Sequence, residues 1–170
     1  GVSQIVNWQD VPADAGHVPF LTHPEAEFDM IRSGIAVYGI IPSRNLKSKF
    51  ELLGFQPALT WKTKVIQLKT IPKNATVGYG CTFKARRDMQ IAVLPVGYWD
   101  GYPRALSNTG KVLGKVSMNI IIIDGTGLHV GDEVELIGEQ TSALDLAQYA
   151  GTISYEIVTR INPLITRKYV

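Results

Sequence analysis

The chain from about residue 59 onward is dominated by short apolar runs that alternate with glycine-rich breaks. Every second residue from Leu59 to Val65 lies on one face of an extended chain, which predicts a strand with one buried side. A turn is predicted around Pro72–Asn74, and three further strands are predicted in the segments QIAVLPV, NIIIID and DEVELIG. Short strands at this spacing are typical of a compact β-barrel or sandwich.

One helix is predicted among these strands. Ser142 is a suitable N-cap for the segment ALDLAQYA, because a serine hydroxyl accepts a hydrogen bond from the first turn of a helix. Gly151 stands where a C-terminal cap is expected.

The first part of the chain has a different pattern. The segment THPEAEFDMIRSG predicts a helix capped by Thr22, and the apolar run Ile35–Ile41 predicts a strand buried on both faces. The polar segment SRNLKSKFELLGFQP that follows is interpreted as a linker. We therefore expect a boundary near residues 45–55, with residues 1–45 as the tail of an α/β domain and residues 46–170 as a β domain. One helix and one strand cannot bury their own faces, so the tail is expected to belong to a larger unit on its N-terminal side.

The composition of the chain mainly excludes certain partners and structural features. The 170 residues are 45% hydrophobic, which is enough for a folded core, and the formal net charge of +2 indicates neither nucleic acid nor an acidic membrane as a partner. The single cysteine, Cys81, cannot form an internal disulfide and suits a reducing compartment. No signal peptide and no membrane-spanning apolar run is found. The sequence alone predicts a soluble cytoplasmic protein.

Few residues indicate chemistry by pattern alone. The three histidines and Cys81 are too scattered to predict a metal site. The stretch RSGI, which begins at Arg32, is compatible with a phosphate site or with a plain turn. Tyr79, Tyr98 and Tyr102 stand close to glycines, which leaves their rings accessible, yet structural tyrosines in a core or an interface explain the same pattern.

Five segments of the chain carry a recognisable pattern: FDMIRSGIAVYGIIPS, PALTWKTKVIQLKTIPKNATVGYGCTF, IAVLPVGYWDGYPRALSN, GKVSMN and GTISYEIVTRINPLITRKYV. Together they resemble the C-terminal portion of alanine racemases, which are pyridoxal phosphate (PLP) enzymes of fold type III. The resemblance implies a mainly β chain: a C-terminal β-barrel or sandwich domain of alanine racemase type, preceded by the last part of a (β/α)8 PLP-binding barrel. It also implies a homodimer in which each active site is shared between subunits.

The resemblance assigns four residues to the cofactor. Arg32 matches the arginine that donates to the PLP pyridine nitrogen, and Gly34 and Ile35 match positions whose backbone N–H groups bind the phosphate. Tyr155 matches a tyrosine whose hydroxyl also reaches the phosphate.

The resemblance assigns five further residues to catalysis and to the substrate. Tyr79 matches the catalytic tyrosine, which acts across the dimer on one face of the substrate Cα. Tyr98 and Asp100 match the inner entrance corridor. Met118 matches a backbone N–H that binds the substrate carboxylate, and Asn119 stands where alanine-specific enzymes usually have aspartate.

These implications leave alternatives open. The family's Schiff-base lysine lies in a K-x-x-A-Y-G motif that this sequence lacks, so the chain alone is expected to be inactive. The expected activity of the parent protein is interconversion of L- and D-alanine, supplying D-alanine for peptidoglycan. Asn119 also resembles broad-specificity racemases that act on serine or lysine. The other alternative is a non-catalytic β-barrel module for dimerisation or binding.

Overall fold

The computed structural model describes residues 34–169, and the chain divides into two compact units, Gly1–Leu59 and Thr60–Val170. The boundary predicted after residue 45 falls inside the first unit. The helix predicted from Thr22 lies outside the described residues.

The apolar run Ile35–Ile41 is not the buried strand that its composition predicts. It begins with a 3-10 helix, Ile35–Tyr38, in which Ile35 and Ala36 are buried while Tyr38 is 60% exposed. Gly39 ends this helix at φ 66°, and a side chain there would overlap the backbone of Gln56. An apolar run of this length is compatible with either element, and here the glycine turns the chain before a strand can form.

The interpretation of the next segment as a linker is also wrong, because the segment contains helical structure. A 3-10 helix, Arg44–Leu46, leads into the helix α1, Lys47–Leu52. Leu46 and Phe50 stand four residues apart and pack together with Ala36 in a small buried cluster. The spacing of these two apolar residues could have predicted the helix, since residues four apart lie on one face of a helix.

The second unit contains seven described strands in three antiparallel sheets. β1 pairs with β7, β5 lies between β2 and β6, and β3 forms a hairpin with β4. The strands are β1 Trp61–Lys64, β2 Gln67–Ile71, β3 Thr76–Val77, β4 Phe83–Lys84, β5 Met89–Leu94, β6 Ile121–Asp124 and β7 Glu133–Ile137. The four strands predicted from the hydrophobic pattern are all present, and the mainly β fold is confirmed.

The central sheet positions the hairpin of β3 and β4. Ile71 and Ile91 on paired strands pack against Val77, Ala85 and Leu113 in one buried cluster. The predicted turn is also present: the N–H of Ala75 donates to the Pro72 carbonyl at 3.1 Å. Because this cluster joins the hairpin to the sheet, close packing supports the loop at the end of the hairpin.

Two short helices follow the strands. The predicted helix is confirmed as α2, Ala143–Ala150, with the Ser142 hydroxyl accepting from the Asp145 N–H at 3.1 Å and Gly151 in the left-handed conformation. A second helix, α3 (Ser154–Thr159), was not predicted and packs against α2. None of the helices in residues 34–169 has the length and apolar character needed to cross a membrane.

One buried phenol makes the stability of the second unit depend on pH in the alkaline range. Tyr102 is 4% exposed and packs edge-on against Trp61, with the ring centroids 6.2 Å apart. Burial disfavours the charged phenolate and raises the pKa of Tyr102 to about 12. The unfolded chain releases this proton near pH 10, so the folded state binds more protons above that pH and loses stability as the pH rises toward 12.

We predict that Tyr102→Phe weakens this loss of stability. The phenylalanine keeps the ring contact with Trp61 but has no proton to release, so the variant should lose roughly 2 kcal/mol less stability than the wild type between pH 10 and pH 12. Urea unfolding at a series of pH values measures the difference. Tyr169→Phe at a site that is 93% exposed is the matched control and should keep the wild-type pH dependence. An unchanged slope in Tyr102→Phe would contradict the assignment.

Candidate active site

Tyr79 lies in the loop between β3 and β4. The loop contains a short 3-10 helix, Tyr79–Cys81, and the glycines on both sides of the tyrosine have positive φ, 76° at Gly78 and 72° at Gly80. Side chains other than glycine rarely adopt this conformation, so the two glycines are required by the backbone path. The side chain of Tyr79 is 71% exposed. The loop therefore presents a phenol to the outside of this unit.

The segment Gly114–Lys115 packs against this loop. A Cβ at Gly78 would lie 3.3 Å from the Lys115 backbone nitrogen, and a Cβ at Gly80 would lie 3.4 Å from the Lys115 Nζ. A Cβ at Gly114 would come within 2.8 Å of the Val77 carbonyl oxygen. The two backbones approach closely at Gly114 and Gly78, where a side chain would crowd the facing backbone, whereas a Cβ at Gly80 would only contact the end of the Lys115 side chain. The position of Tyr79 is therefore set by a tertiary contact as well as by its own hairpin.

Tyr98 and Asp100 lie in a second tight turn, the 3-10 helix Tyr98–Asp100. The Asp100 carboxylate accepts the N–H of Gly97 at 2.9 Å, and the N–H of Asp100 donates to the Gly97 carbonyl at 3.1 Å. A carboxylate that closes its own turn in this way is stabilised as a cap. Tyr98 is 48% exposed, so this turn also carries an outward-facing phenol.

Two backbone hydrogen bonds join this turn to Met118. The N–H of Tyr98 donates to the Ser117 carbonyl and the N–H of Trp99 donates to the Met118 carbonyl, each at 3.0 Å. A side chain at Gly97 would overlap both of these carbonyl oxygens. Since the Ser117 carbonyl faces Tyr98 and the peptide is trans, the N–H of Met118 points away from the turn. Met118 is 47% exposed, and Asn119 beside it is exposed.

The C-terminal region supports the Tyr98 turn from another side. The N–H of Asn162 donates to the Asp100 carbonyl at 3.0 Å, and the Asn162 side-chain amide donates to the Trp99 carbonyl at 3.3 Å. A Cβ at Gly101 would overlap the Arg160 carbonyl oxygen. The turn is thus fixed on two sides, which leaves little freedom for the residues it carries.

Tyr155 lies in the first turn of α3, and its hydroxyl oxygen is shielded from solvent. Its backbone carbonyl accepts a hydrogen bond from the Thr159 hydroxyl at 2.8 Å. A phenol in this position can donate one hydrogen bond and accept another.

The residues predicted to hold the cofactor phosphate are only partly described. Ile35 begins the 3-10 helix of the first unit, and Gly34 is its N-cap, so the first N–H groups have no acceptor within the helix. Backbone N–H groups and a phenol hydroxyl are each suitable donors to a phosphate, so the chemistry of each of these residues, taken by itself, fits such a group. Arg32 lies outside the described residues.

The structure brings some of the predicted residues together. Tyr98, Asp100 and Met118 belong to one hydrogen-bonded arrangement, and the segment 114–118 extends from it to the Tyr79 loop. Sequence reasoning missed Gly97, Lys115 and Asn162, which position these residues through contacts between distant parts of the chain. Within residues 34–169 there is no cluster of metal-binding side chains.

Comparisons with known proteins find a family model, related sequences and solved structures that are similar to this chain. The family model described as alanine racemase, C-terminal domain, matches residues 58–169. An alanine racemase from Halothermothrix orenii is 47% identical over 157 residues, which cover 83% of this chain and 41% of that protein. The crystal structure of alanine racemase from Streptomyces lavendulae, a producer of D-cycloserine, is 35% identical with a TM-score of 0.84, covering 91% of this chain and 44% of that one. An alanine racemase from Bartonella henselae with covalently bound pyridoxal phosphate is 31% identical with a TM-score of 0.72, covering 84% of this chain and 42% of that one.

We predict that Gly97→Ala separates the Tyr98 turn from Met118. The added methyl group overlaps two carbonyl oxygens, so the backbone must move and the two hydrogen bonds between the segments must lengthen. Hydrogen exchange of the Tyr98 and Trp99 amides should become at least about tenfold faster, since the loss of one hydrogen bond corresponds to about that factor. Gly127→Ala is the control, because nothing lies within 4 Å of the methyl group that it adds, so it changes a glycine without a close approach. Equal acceleration in both variants would show that the close approach is unimportant.

Proposed function

The chain belongs to the alanine racemase family, and we propose that the full-length protein that carries it interconverts L- and D-alanine with pyridoxal phosphate. The chain spans less than half the length of the relatives described above, so this activity is assigned to the whole protein. The observation that best supports it is the exposed phenol of Tyr79 on a loop braced by Gly114 and Lys115. We further propose that the protein is cytoplasmic and that its D-alanine supplies peptidoglycan synthesis.

Tyr79 is the proposed acid and base on one face of the substrate. Racemisation needs one group that removes the Cα proton and another that delivers a proton to the opposite face, because a single group would return the proton with retention. The family's lysine on the other face lies in a motif outside this sequence. The glycines beside Tyr79 allow its phenol to approach a planar group closely without a side chain in the way.

The proposed cofactor contacts are those of Arg32, Gly34, Ile35 and Tyr155. PLP, when bound, withdraws electrons from the substrate Cα and so acidifies its proton. Two N–H groups at the start of the 3-10 helix and the Tyr155 hydroxyl would bind the phosphate, and the Arg32 guanidinium would donate to the ring nitrogen without giving up its proton.

Met118, Asn119, Tyr98 and Asp100 are the proposed contacts at the substrate side. The Met118 N–H points away from the Tyr98 turn, and a carboxylate is a good acceptor for such a group. Asp100 would act through its turn, since its carboxylate is engaged with the Gly97 N–H. Tyr98 would narrow the entrance, and the exposed amide of Asn119 would border the substrate.

Exposure of these residues supports an active site completed by a second copy of the protein. Tyr79, Tyr98 and Met118 are each between 47% and 71% exposed on their own unit. Exclusion of bulk water from such a site strengthens its electrostatic interactions and prevents loss of the transferred proton to solvent. We propose, as the resemblance implies, that the barrel of the partner subunit covers this face in a symmetric dimer.

We predict that Tyr79→Phe in the full-length protein impairs proton removal from one alanine enantiomer by about 10²–10⁴-fold, the usual contribution of a general base. Removal from the other enantiomer should be much less affected, since the group on the opposite face is intact. Deuterium uptake at Cα, followed separately from L- and D-alanine, measures both. Tyr169→Phe, far along the chain and 93% exposed, is the control. An equal loss with both enantiomers would refute the role on one face.

We also predict that two inactive variants restore activity when their subunits mix. One variant lacks the family's Schiff-base lysine and the other carries Tyr79→Phe. If the two groups act across the dimer, each heterodimer contains one intact site and one doubly defective site. Random mixing makes about half of the dimers mixed, so roughly a quarter of the wild-type sites should recover. Subunit exchange shown by mass spectrometry without any recovery would place Tyr79 in the site of its own chain.

A further inference from the structure

A cleft of about 630 Å³ lies in the second unit next to the Tyr79 loop. One wall is formed by the turn Lys73–Asn74 and the strand region 82–86, and the other by residues of the segment 108–113. None of the residues proposed above for catalysis, cofactor or substrate lines it. A volume of this size is within the range of small-molecule sites.

Hydrogen bonds and the buried core fix both walls. The N–H of Asn74 donates to the Ala85 carbonyl at 2.8 Å, which closes the first wall. The N–H of Asn108 donates to the Gly114 carbonyl at 2.9 Å, and the Thr82 hydroxyl donates to the Asn108 side-chain oxygen at 3.4 Å, which links the two walls. Ala85 and Leu113, one from each wall, pack in the same buried cluster. The cleft is therefore formed before any ligand arrives, which lowers the entropic cost of binding.

The charge of the cleft is of one sign. Lys73, Lys84 and Arg86 line it, and no acidic residue does. Within residues 34–169, no carboxylate forms an ion pair with any of these three side chains. Asp88 is an acidic residue that is hydrogen-bonded to the first wall: its carboxylate accepts the backbone N–H of Lys73 at 2.7 Å. Asp88 does not line the cleft. Three like charges around one space repel one another, and an anion between them would relieve this repulsion.

The uncharged part of the lining combines apolar residues with polar side chains that can donate hydrogen bonds; the apolar residues are Phe83, Ala85, Val112 and Leu113. The Asn74 and Asn108 side chains each carry an amide NH₂, and Arg86 offers a fork of N–H groups that matches two oxygens of one anion. Both asparagines have positive φ, 71° and 58°, so each is held in a conformation that few residues other than glycine adopt. Three cations and several neutral donors suit a compact ligand with at least two negative charges and many acceptor oxygens.

We propose that this cleft binds a small molecule through a phosphate or diphosphate group. Lys73 and Lys84 contribute charge from two sides, Arg86 donates two parallel hydrogen bonds, and the asparagine amides bind the remaining oxygens. The proposal does not depend on the proposed function, because the cleft and the candidate active site have no residue in common.

Inorganic pyrophosphate is the probe, and isothermal titration calorimetry of the full-length protein is the measurement. Lys84→Gln and Arg86→Gln should each weaken binding at least about tenfold, as expected for the loss of a hydrogen bond to a charged group. Arg86→Lys keeps the charge but loses the fork, so its affinity should lie between those of the wild type and Arg86→Gln. Lys69→Gln removes an exposed charge from β2 outside the cleft and is the control, with binding expected to stay within about twofold of the wild type.

Three results would overturn the proposal. One is the absence of binding heat at about 10 mM pyrophosphate, a concentration at which even millimolar affinity is detected. Another is an equal loss of affinity in Lys69→Gln and Lys84→Gln, which would indicate attraction to the whole surface. The third is tighter binding of malonate than of pyrophosphate, which would replace phosphate by a dicarboxylate as the ligand. Because all three substituted positions are exposed, each variant is expected to fold, and circular dichroism checks this.

Discussion

The close approach of the segment Gly114–Met118 to two separate loops is the contact on which the arrangement of the candidate active site depends. At one end the segment packs against the glycines around Tyr79, and at the other it forms two backbone hydrogen bonds with the Tyr98 turn. Backbones come this near only where glycine removes the Cβ, as at Gly78, Gly97 and Gly114. Movement of this segment would displace both phenols together.

The side chains of the candidate active site are exposed, but the loops that carry them are held in place. The side chains proposed to act on the substrate stand on short loops, while the loops themselves are fixed by β-sheet pairing, by capping and by contacts with residues 160–162. A precise site on loops requires such support, because an unsupported loop samples many conformations. Tyr79 and Tyr98 are thus exposed side chains on loops that the rest of the second unit supports.

The chain before this segment forms a wall of the basic cleft. Residues 108–113 line the cleft and the next two residues pack against the Tyr79 loop. The Asn108–Gly114 hydrogen bond joins the two parts of this stretch. One short stretch of backbone therefore contributes both to the lining of the cleft and to the support of the Tyr79 loop.

Local patterns in the sequence determined four of the seven described strands, the helix between Ser142 and Gly151, and the choice of Tyr79 as a residue with freedom around it. Each of these depends on neighbours along the chain: alternation with period two, a hydroxyl at a helix start, and glycines on both sides of a phenol. The similarity of ordered motifs then indicated the family and the roles proposed for residues such as Arg32 and Tyr155.

Tertiary structure alone decided what depends on distant partners. The run Ile35–Ile41 has the composition of a buried strand, and Gly39 against Gln56 makes it a 3-10 helix instead. Gly97 packs against Met118, and Lys84 lines the same cleft as residues of the segment 108–113. In both cases the residues are about 20 or more apart in sequence. Such contacts carry no periodic signal, because they arise only when sheet pairing and the common core bring separate loops to one place.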